Sequence, residues 1–287
     1  MNDQPNLAII GGSGLYAMPG LEDIKEQKIS TPFGEPSSPI VTGMMAGRRV
    51  AFLARHGPGH TIPPTKVNYR ANIYALKSLG VRFVLAVSAC GSLRGDYAPG
   101  DVVIPSQLFD LTHGRVRTFF DGPGLVAHVG VADPFCNAFG QQAKAAGKAA
   151  GATVHLGGTY VTIEGPRFST RAESNAYRSL GFSIIGMTTA PEAFLAKEAE
   201  LCYAVMAHVT DYDVWHEEPV SVELVVRTLQ KNTQLAQKAV RNLAASLNEH
   251  QECDCDTTLA NALITDAKSI SRATRKKLGI LVDKYVA

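Results

Sequence analysis

The chain has 287 residues, 45% of them hydrophobic and 19% charged, with 28 basic and 26 acidic residues giving a formal net charge of +2. That composition excludes a disordered, collagenous or coiled-coil chain, and the near-zero charge leaves no electrostatic footprint for nucleic acid. No apolar run approaches the ~18 residues a membrane span needs. The start, MNDQPNLAII, has no basic region ahead of an apolar stretch, so no signal peptide and a cytoplasmic protein are expected.

Short apolar runs rich in Val, Ile and aromatics punctuate the chain. In order they are Leu7–Ile10, Val50–Ala54, Phe83–Val87, Val102–Ile104, Thr159–Ile163, Ile184-Ile185 and Tyr203–Val209. Each is bounded by Gly, Pro, Ser, Asp or another turn former, and such runs predict buried strands. Helical patterns lie between them. Val67, Ala71, Tyr74, Ala75 and Leu79 recur at helical spacing, and Gly80 follows as a stop. Pro134 to Gly151 is Ala-rich and helical. Thr170-Arg-Ala-Glu173 is a capping-box pattern that opens a helix ending at Gly181. Val222, Val225, Leu229, Ala236, Val240, Leu243 and Leu247 form a stripe over residues 219–248. Alternating strands and helices predict a single α/β domain over residues 1–248, with a mixed, twisted central sheet flanked by helices. The more polar tail, 249–287, is expected to carry a final helix around Ser271–Tyr285 and to pack on the domain or at a subunit interface.

In open α/β sheets ligands bind beyond the carboxyl ends of the strands. That rule selects Gly11–Gly14, Arg55-His56, Ser88–Gly91, Glu164–Phe168, Gly186–Thr189 and Thr210–Asp213 before any chemistry is assumed. Gly12, Gly14 and Ala17 satisfy the dinucleotide fingerprint G-x-G-x-x-A, but Met18-Pro19-Gly20 breaks the helix that fingerprint requires. A glycine loop can still offer backbone N–H groups, and the Ser13 hydroxyl, to an anion. Arg55 and His56 supply a guanidinium and an imidazole, and Ser88, Ala89 and Thr188 add hydroxyl and amide donors. Together they describe an oxyanion site without metal ligands, suited to free phosphate. Asp211 and Asp213 either cap a following helix or read a ring that bears a basic nitrogen and an amine. Burial would raise the pKa of such acids. Phe168 is a candidate for stacking on a planar ligand.

Five cysteines in a chain this long do not make a disulfide framework. Cys90, Cys136 and Cys202 lie in apolar contexts and read as buried small hydrophobes. Cys253 and Cys255 form a C-x-C pair in the polar tail. That pair is open to three readings: exposed thiols, a strained local disulfide, or a metal site with His250.

The blocks IIGGSGL (9–15), TPFGEPS (31–37), LARHG (53–57), HTIPPTKVNYRANI (60–73), SACGSL (88–93), PGDVVIP (99–105), DPFC (133–136), TIEGPRFSTRAES (162–174), GMTTAPEAFLAKE (186–198) and TDYDVW (210–215) resemble the purine nucleoside phosphorylase superfamily. They match its methylthioadenosine-cleaving branch in family order over about residues 7–250. The resemblance implies reversible phosphorolysis of S-methyl-5′-thioadenosine to adenine and 5-methylthioribose 1-phosphate, in purine and methionine salvage. It implies phosphate as co-substrate, no cofactor and no metal.

Residue by residue, the resemblance implies phosphate contacts from Ser13, Arg55, His56, Ser88, Ala89 and Thr188. Met187 would lie under the ribose, with Cys90 and Gly91 beside the substrate. Asp211 would act as general acid, Asp213 would read the purine, and Phe168 would stack on it. Ser169 and Val222 match positions tied to substrate preference. His128 matches a histidine lent to the neighbouring subunit's site, which implies a homotrimer or a dimer of trimers. Gly186 departs from relatives that carry asparagine beside the base. In some members cysteines matching Cys136 and Cys202 can pair.

The nearest rival is a phosphorylase of 6-oxopurine nucleosides or methylthioinosine. An oxopurine presents a ring N–H and a carbonyl, which two acids serve poorly. A hydrolytic nucleosidase would leave the anion cluster without a purpose. A catalytically idle nucleotide-binding sensor would be expected to lack some of these anion or acid positions.

Overall fold

The computed structural model describes residues 4–11, 18–216 and 222–286, without the side chains at positions 224, 227 and 229–231. In chain order the strands are β1 (Leu7–Gly11), β2 (Glu22–Gln27), β3 (Ile40–Met45), β4 (Arg48–Ala54), β5 (Phe83–Ser92), β6 (Val102–Ile104), β7 (Gln107–Asp110), β8 (Val154–Leu156), β9 (Thr159–Thr162), β10 (Ile184–Gly186) and β11 (Cys202–Asp211). The helices are α1 (Tyr69–Ser78), α2 (Asn137–Ala150), α3 (Arg171–Ser179), α4 (Thr189–Glu198), α5 (Val222–Ser246) and α6 (Arg272–Leu278).

These strands form one mixed sheet. Its path is β2-β3-β4-β1-β5-β10-β9-β7, and β11 branches from β5 toward β6 and β8. Both faces are covered, which is why the strands read as continuous apolar runs. Alternate residues go to opposite cores. Ala8 and Ile10 of β1, Val84 and Ala86 of β5, and Tyr203 and Val205 of β11 meet the layer that includes α1 and α4. Leu7 and Ile9, Phe83 and Leu85, and Ala204 and Met206 meet α2 and α5. The tail threads into the first core through Leu259, Ile270, Leu278, Leu281 and Val282. No helix among the described residues is long and apolar enough to cross a membrane.

All seven expected strands form. The β2 segment EDIKEQ carries no apolar alternation and is exposed at every position; its charges suit a sheet edge. The capping box closes at both ends: Thr170 accepts from the Glu173 N–H, and Glu173 accepts from the Thr170 N–H. The final helix is shorter than expected, because α6 ends at Leu278 and a single 3₁₀ turn follows over Gly279–Leu281. Helix α4 has no amphipathic signature, since eight of its ten residues are buried.

Strand directions place the site. β5 runs parallel to β1 and to β11, and β1 runs parallel to β4, so these four strands end on one side. The last residues of β5 pair antiparallel with β10, Ile185 opposite Gly91. The carboxyl end of β10 therefore returns toward Ser88–Gly91, where β11 also ends. A bulge between Val209 and Asp211 resets the register there and re-aims the Asp211 side chain.

Candidate active site

A cavity of about 280 Å³ opens at this convergence. Its wall includes Arg55, His56, Ser88, Ala89, Cys90, Gly91, Phe168, Ser169, Gly186, Met187, Thr188, Asp211 and Asp213. Most of the expected site residues are thus brought together from five separate stretches of chain. Ser13 lies outside the described residues. Val222, expected to tune substrate preference, does not line the cavity. It is 68% exposed on the first turn of α5, while Val225, Asn232, Thr233 and Ala236 of the same helix face in. A stripe fixes which residues share a helix face, not which turn reaches a cavity. His128 is exposed and lies outside this chain's cavity, its backbone N–H donating to Ala262 O at 2.8 Å.

One end of the cavity offers donors. Arg55 follows β4 directly and is only 2% exposed. Its Nε–H and one Nη2–H donate to Glu192 Oε2 and Oε1 at 2.7 and 2.8 Å. The Tyr203 hydroxyl donates to Oε1 as well, at 2.8 Å. Burial opposes the guanidinium's charge, but Glu192 more than offsets it, and the Arg55 pKa is raised. Of five guanidinium N–H groups, two go to Glu192 and a third leans on Val87 O at 3.4 Å. Two have no partner among the described residues and can serve a ligand. Sequence reasoning missed Glu192, although it lies within the GMTTAPEAFLAKE block.

His56 is held by its Nδ1, 2.9 Å from Ile62 O. A carbonyl only accepts, so Nδ1 carries the proton and Nε2 is left with a lone pair. Burial, then the neighbouring Arg55 charge, lowers the His56 pKa to about 4. The Ser88 hydroxyl is buried without a hydrogen bond of normal geometry among the described residues. Thr188 is the N-cap residue of α4, yet its side chain makes no capping bond. Both residues line the cavity, where their hydroxyls can serve a ligand.

The other end carries the acids. Asp211 is 5% and Asp213 4% exposed. Asp211 Oδ2 accepts from the Thr210 hydroxyl at 2.6 Å, and Oδ1 from the Asp213 N–H at 2.8 Å. Asp213 Oδ2 and the Ser169 and Ser174 hydroxyls are buried without a hydrogen bond of normal geometry among the described residues, though the two hydroxyls lie near enough to the carboxylate to temper the effect of its burial. Burial raises both carboxyl pKa values. Gly91 makes the close approach possible, since a Cβ there would lie 3.0 Å from Asp211 Oδ1 and 3.3 Å from Asp213 Cβ. At Gly186 a Cβ would fall 1.9 Å from the Tyr160 hydroxyl. The tyrosine occupies the space that a side chain at 186 would need.

Burial, then the adjacent Asp211, pushes the Cys90 thiol well above the usual range, which disfavours its thiolate. Arg115 locks the loops together. Its Nη1 donates to Met187 O and Ala190 O, both at 2.7 Å, and its Nη2 to Glu164 O at 2.7 Å. Glu164 accepts from the Gly114 N–H and from Arg115 Nε. Those bonds outweigh the cost of burying it and bring its pKa down to about 2.

Residues 6–245 match the family model of the Phosphorylase superfamily, and the chain belongs to that family. It is 51% identical over 284 residues to the S-methyl-5′-thioadenosine phosphorylase of Koribacter versatilis, covering 98% of this chain and 97% of the relative. It is 50% identical over 283 residues to the protein of the same name from Geobacter sulfurreducens, covering 98% and 99%. In structure it is similar to a methylthioadenosine phosphorylase sourced from an Antarctic soil metagenomic library, with a TM-score of 0.93, 46% identity and coverage of 98% and 99%. It is also similar to the methylthioadenosine phosphorylase of Schistosoma mansoni in complex with adenine, with a TM-score of 0.81, 39% identity and coverage of 84% and 91%.

Proposed function

We infer that the chain catalyses reversible phosphorolysis of S-methyl-5′-thioadenosine, giving adenine and 5-methylthioribose 1-phosphate. One observation carries this reading: two buried acids of raised pKa face a cluster of unspent anion donors across one cavity. Near-full-length relatives of that name support it.

Breaking the glycosidic bond builds positive charge on C1′ and negative charge on the purine. A bound phosphate dianion stabilises the sugar cation and is already a nucleophile, so no base is required. Its protonated oxygen donates to His56 Nε2. Its other oxygens accept from the two spare Arg55 N–H groups, the Ser88 and Thr188 hydroxyls and the Ala89 backbone, with Ser13 as a further donor. Because Arg55 is already paired with Glu192, the site selects phosphate by donor geometry more than by net charge.

Asp211, whose pKa burial raises, donates to N7 as the C1′–N9 bond breaks, so that adenine leaves neutral. Asp213, whose Oδ2 is unspent, accepts from the 6-amino group. Phe168 stacks on the base, Cys90 and Gly91 flank it, and Met187 lies under the ribose. Val225 and Ala236 of α5 offer the apolar wall for the methylthio group, and Ser169 sits beside Asp213. No cofactor enters this scheme. A homotrimer or dimer of trimers in the cytoplasm is part of the proposal, with His128 completing a neighbouring copy's site. Its exposure outside its own cavity supports that role.

The test measures adenine release from S-methyl-5′-thioadenosine with and without phosphate. Release that requires phosphate and yields the sugar 1-phosphate is expected. Phosphate-independent release would mean a hydrolase, and preferential turnover of inosine would mean an oxopurine enzyme. Sedimentation of wild type and His128→Ala tests the shared site.

A further inference from the structure

Four cysteines meet away from the cavity, on the α2 and α5 side of the sheet. Cys136 caps α2, Cys202 opens β11, and Cys253 and Cys255 lie in the tail. Their sulfurs all lie within 4.8 Å of one another, with Cys202 and Cys253 3.5 Å apart. All are free thiols. His250 is exposed and stands outside the group, so the C-x-C pair is joined by two distant cysteines rather than by the adjacent histidine.

We propose that Cys136, Cys202, Cys253 and Cys255 form a tetrathiolate site for one thiophilic divalent cation, zinc above all, that fastens the C-terminal segment to the sheet. The geometry comes first. Metal–sulfur bonds of ~2.3 Å in a tetrahedron set sulfur–sulfur edges of about 3.8 Å, and no pair of the four sulfurs is farther apart than 4.8 Å. The donor set is all sulfur, the soft class that zinc accepts and that magnesium and calcium refuse.

The surroundings treat the sulfurs as acceptors. Gln251 Nε2 points at three of them, 3.1 Å from Cys136 Sγ and 3.5 Å from those of Cys202 and Cys253. The orientation of that amide follows from a relay. Gln142 Oε1 accepts from the Asn248 N–H at 2.8 Å. That leaves Gln142 Nε2 to donate to Gln251 Oε1 at 2.6 Å, so the NH₂ of Gln251 must face the cluster. Such a partner orients thiolate ligands and disperses their charge. The N-terminus of α2 acts in the same direction on Cys136. Two ligands are prepositioned by backbone, since the Cys136 N–H donates to Tyr203 O at 2.8 Å, next to Cys202.

Binding converts four thiols and one M²⁺ into an M(SR)₄ dianion and four released protons. Its consequence is mechanical. The tail delivers Leu259, Leu278, Leu281 and Val282 to the core, and the metal would pin the point where that tail leaves α5.

The test uses the full chain, purified without chelator and without a metal-affinity step. Elemental analysis is expected to give about one zinc per chain, retained through dialysis against a weak chelator. Titration with a mercurial should release it as four thiols are consumed. Cobalt substitution should give the intense visible bands of a tetrahedral tetrathiolate. Cys253→Ser/Cys255→Ser should lose the metal and melt at lower temperature, while phosphate-dependent adenine release below that transition persists. If the double variant does not fold, the metal content of the wild type still decides. Five titratable thiols without metal, a thiol deficit in denaturant that reveals disulfides, or metal removed by dialysis would each overturn the proposal.

Discussion

Glu192 is the sharpest place to test the anion end of the site. It is fully buried and shares its carboxylate between Arg55 and Tyr203. In Glu192→Gln one charge-assisted bond is lost, and an amide N–H must face either a guanidinium or a hydroxyl donor. Removing one partner of a buried pair costs about 3–5 kcal/mol, because the other charge stays behind uncompensated. At about 2–4 °C per kcal/mol that lowers the melting temperature by roughly 6–20 °C. The fall should be largest in phosphate-free buffer. Added phosphate can serve as the missing counter-ion, so its stabilising effect should exceed that in the wild type. The guanidinium is no longer held in place, so kcat should fall at saturating phosphate. Arg55→Met/Glu192→Leu removes both charges, and buried pairs replaced by apolar residues of similar volume are often no less stable. That variant should regain most of the melting temperature yet show no stabilisation by phosphate. Differential scanning calorimetry over a phosphate series reads all of this. An unchanged melting temperature for Glu192→Gln without phosphate, or a normal phosphate response in the double variant, would refute the reasoning.

Four further outcomes follow from the same geometry. Asp211→Asn should lower kcat about 10²–10⁴-fold with little change in the nucleoside KM, and equal turnover would sink the general-acid role. Gly91→Ala places a methyl 3.0 Å from Asp211 Oδ1 and Ile185 Cγ2, so kcat should drop while the unfolding free energy from urea titration falls by no more than about 3 kcal/mol. Burial raises the Glu198 pKa from 4.5 to about 7, so its ionisation subtracts stability as pH climbs through that window. Glu198→Gln should therefore gain up to ~3 kcal/mol at pH 8 and almost nothing at pH 4, read by denaturant titration at both values. Burial depresses His56 and His208 to about 4; both folded values lie below the unfolded 6.5, so these groups cost stability as pH falls from 6.5 toward 4. NMR should show both rings neutral at pH 6, and a charged ring there would contradict the burial argument.

The sequence displayed the strands because both sheet faces are covered. Two-sided burial turns β1, β5 and β11 into plain apolar runs, and the residues at the ends of β5 and β11 line the cavity. β2 stayed hidden because EDIKEQ buries nothing. α4 stayed hidden for the opposite reason. Almost every residue of it is buried, so no stripe appears, and Pro191 reads as a breaker although it sits in the first turn. Glu192 was lost with that helix. A buried carboxylate is recognisable as a partner only once α4 is seen to lie against the end of β4. The four cysteines could be joined only by tertiary structure.

The two buried arginines predict that the two ends of the cavity are coupled. Arg55 ties the end of β4 to Glu192 on α4, and Arg115 ties Met187 and Ala190, at the start of that helix, to the Glu164 loop. That loop leads into Phe168 and Ser169, beside Asp213. Thr188, Met187 and Glu192 therefore belong to one short segment that touches the proposed phosphate, ribose and guanidinium in turn. A displacement at the phosphate end should be felt under the sugar, because Thr188 to Glu192 are buried, Met187 is half-buried, and close-packed interiors transmit strain. Phosphate binding should accordingly tighten nucleoside binding, and by linkage the nucleoside should tighten phosphate by the same factor. Isothermal titration of a non-cleavable nucleoside analogue with and without phosphate measures that factor. A value of one in both directions would mean the two subsites share a cavity but not a frame.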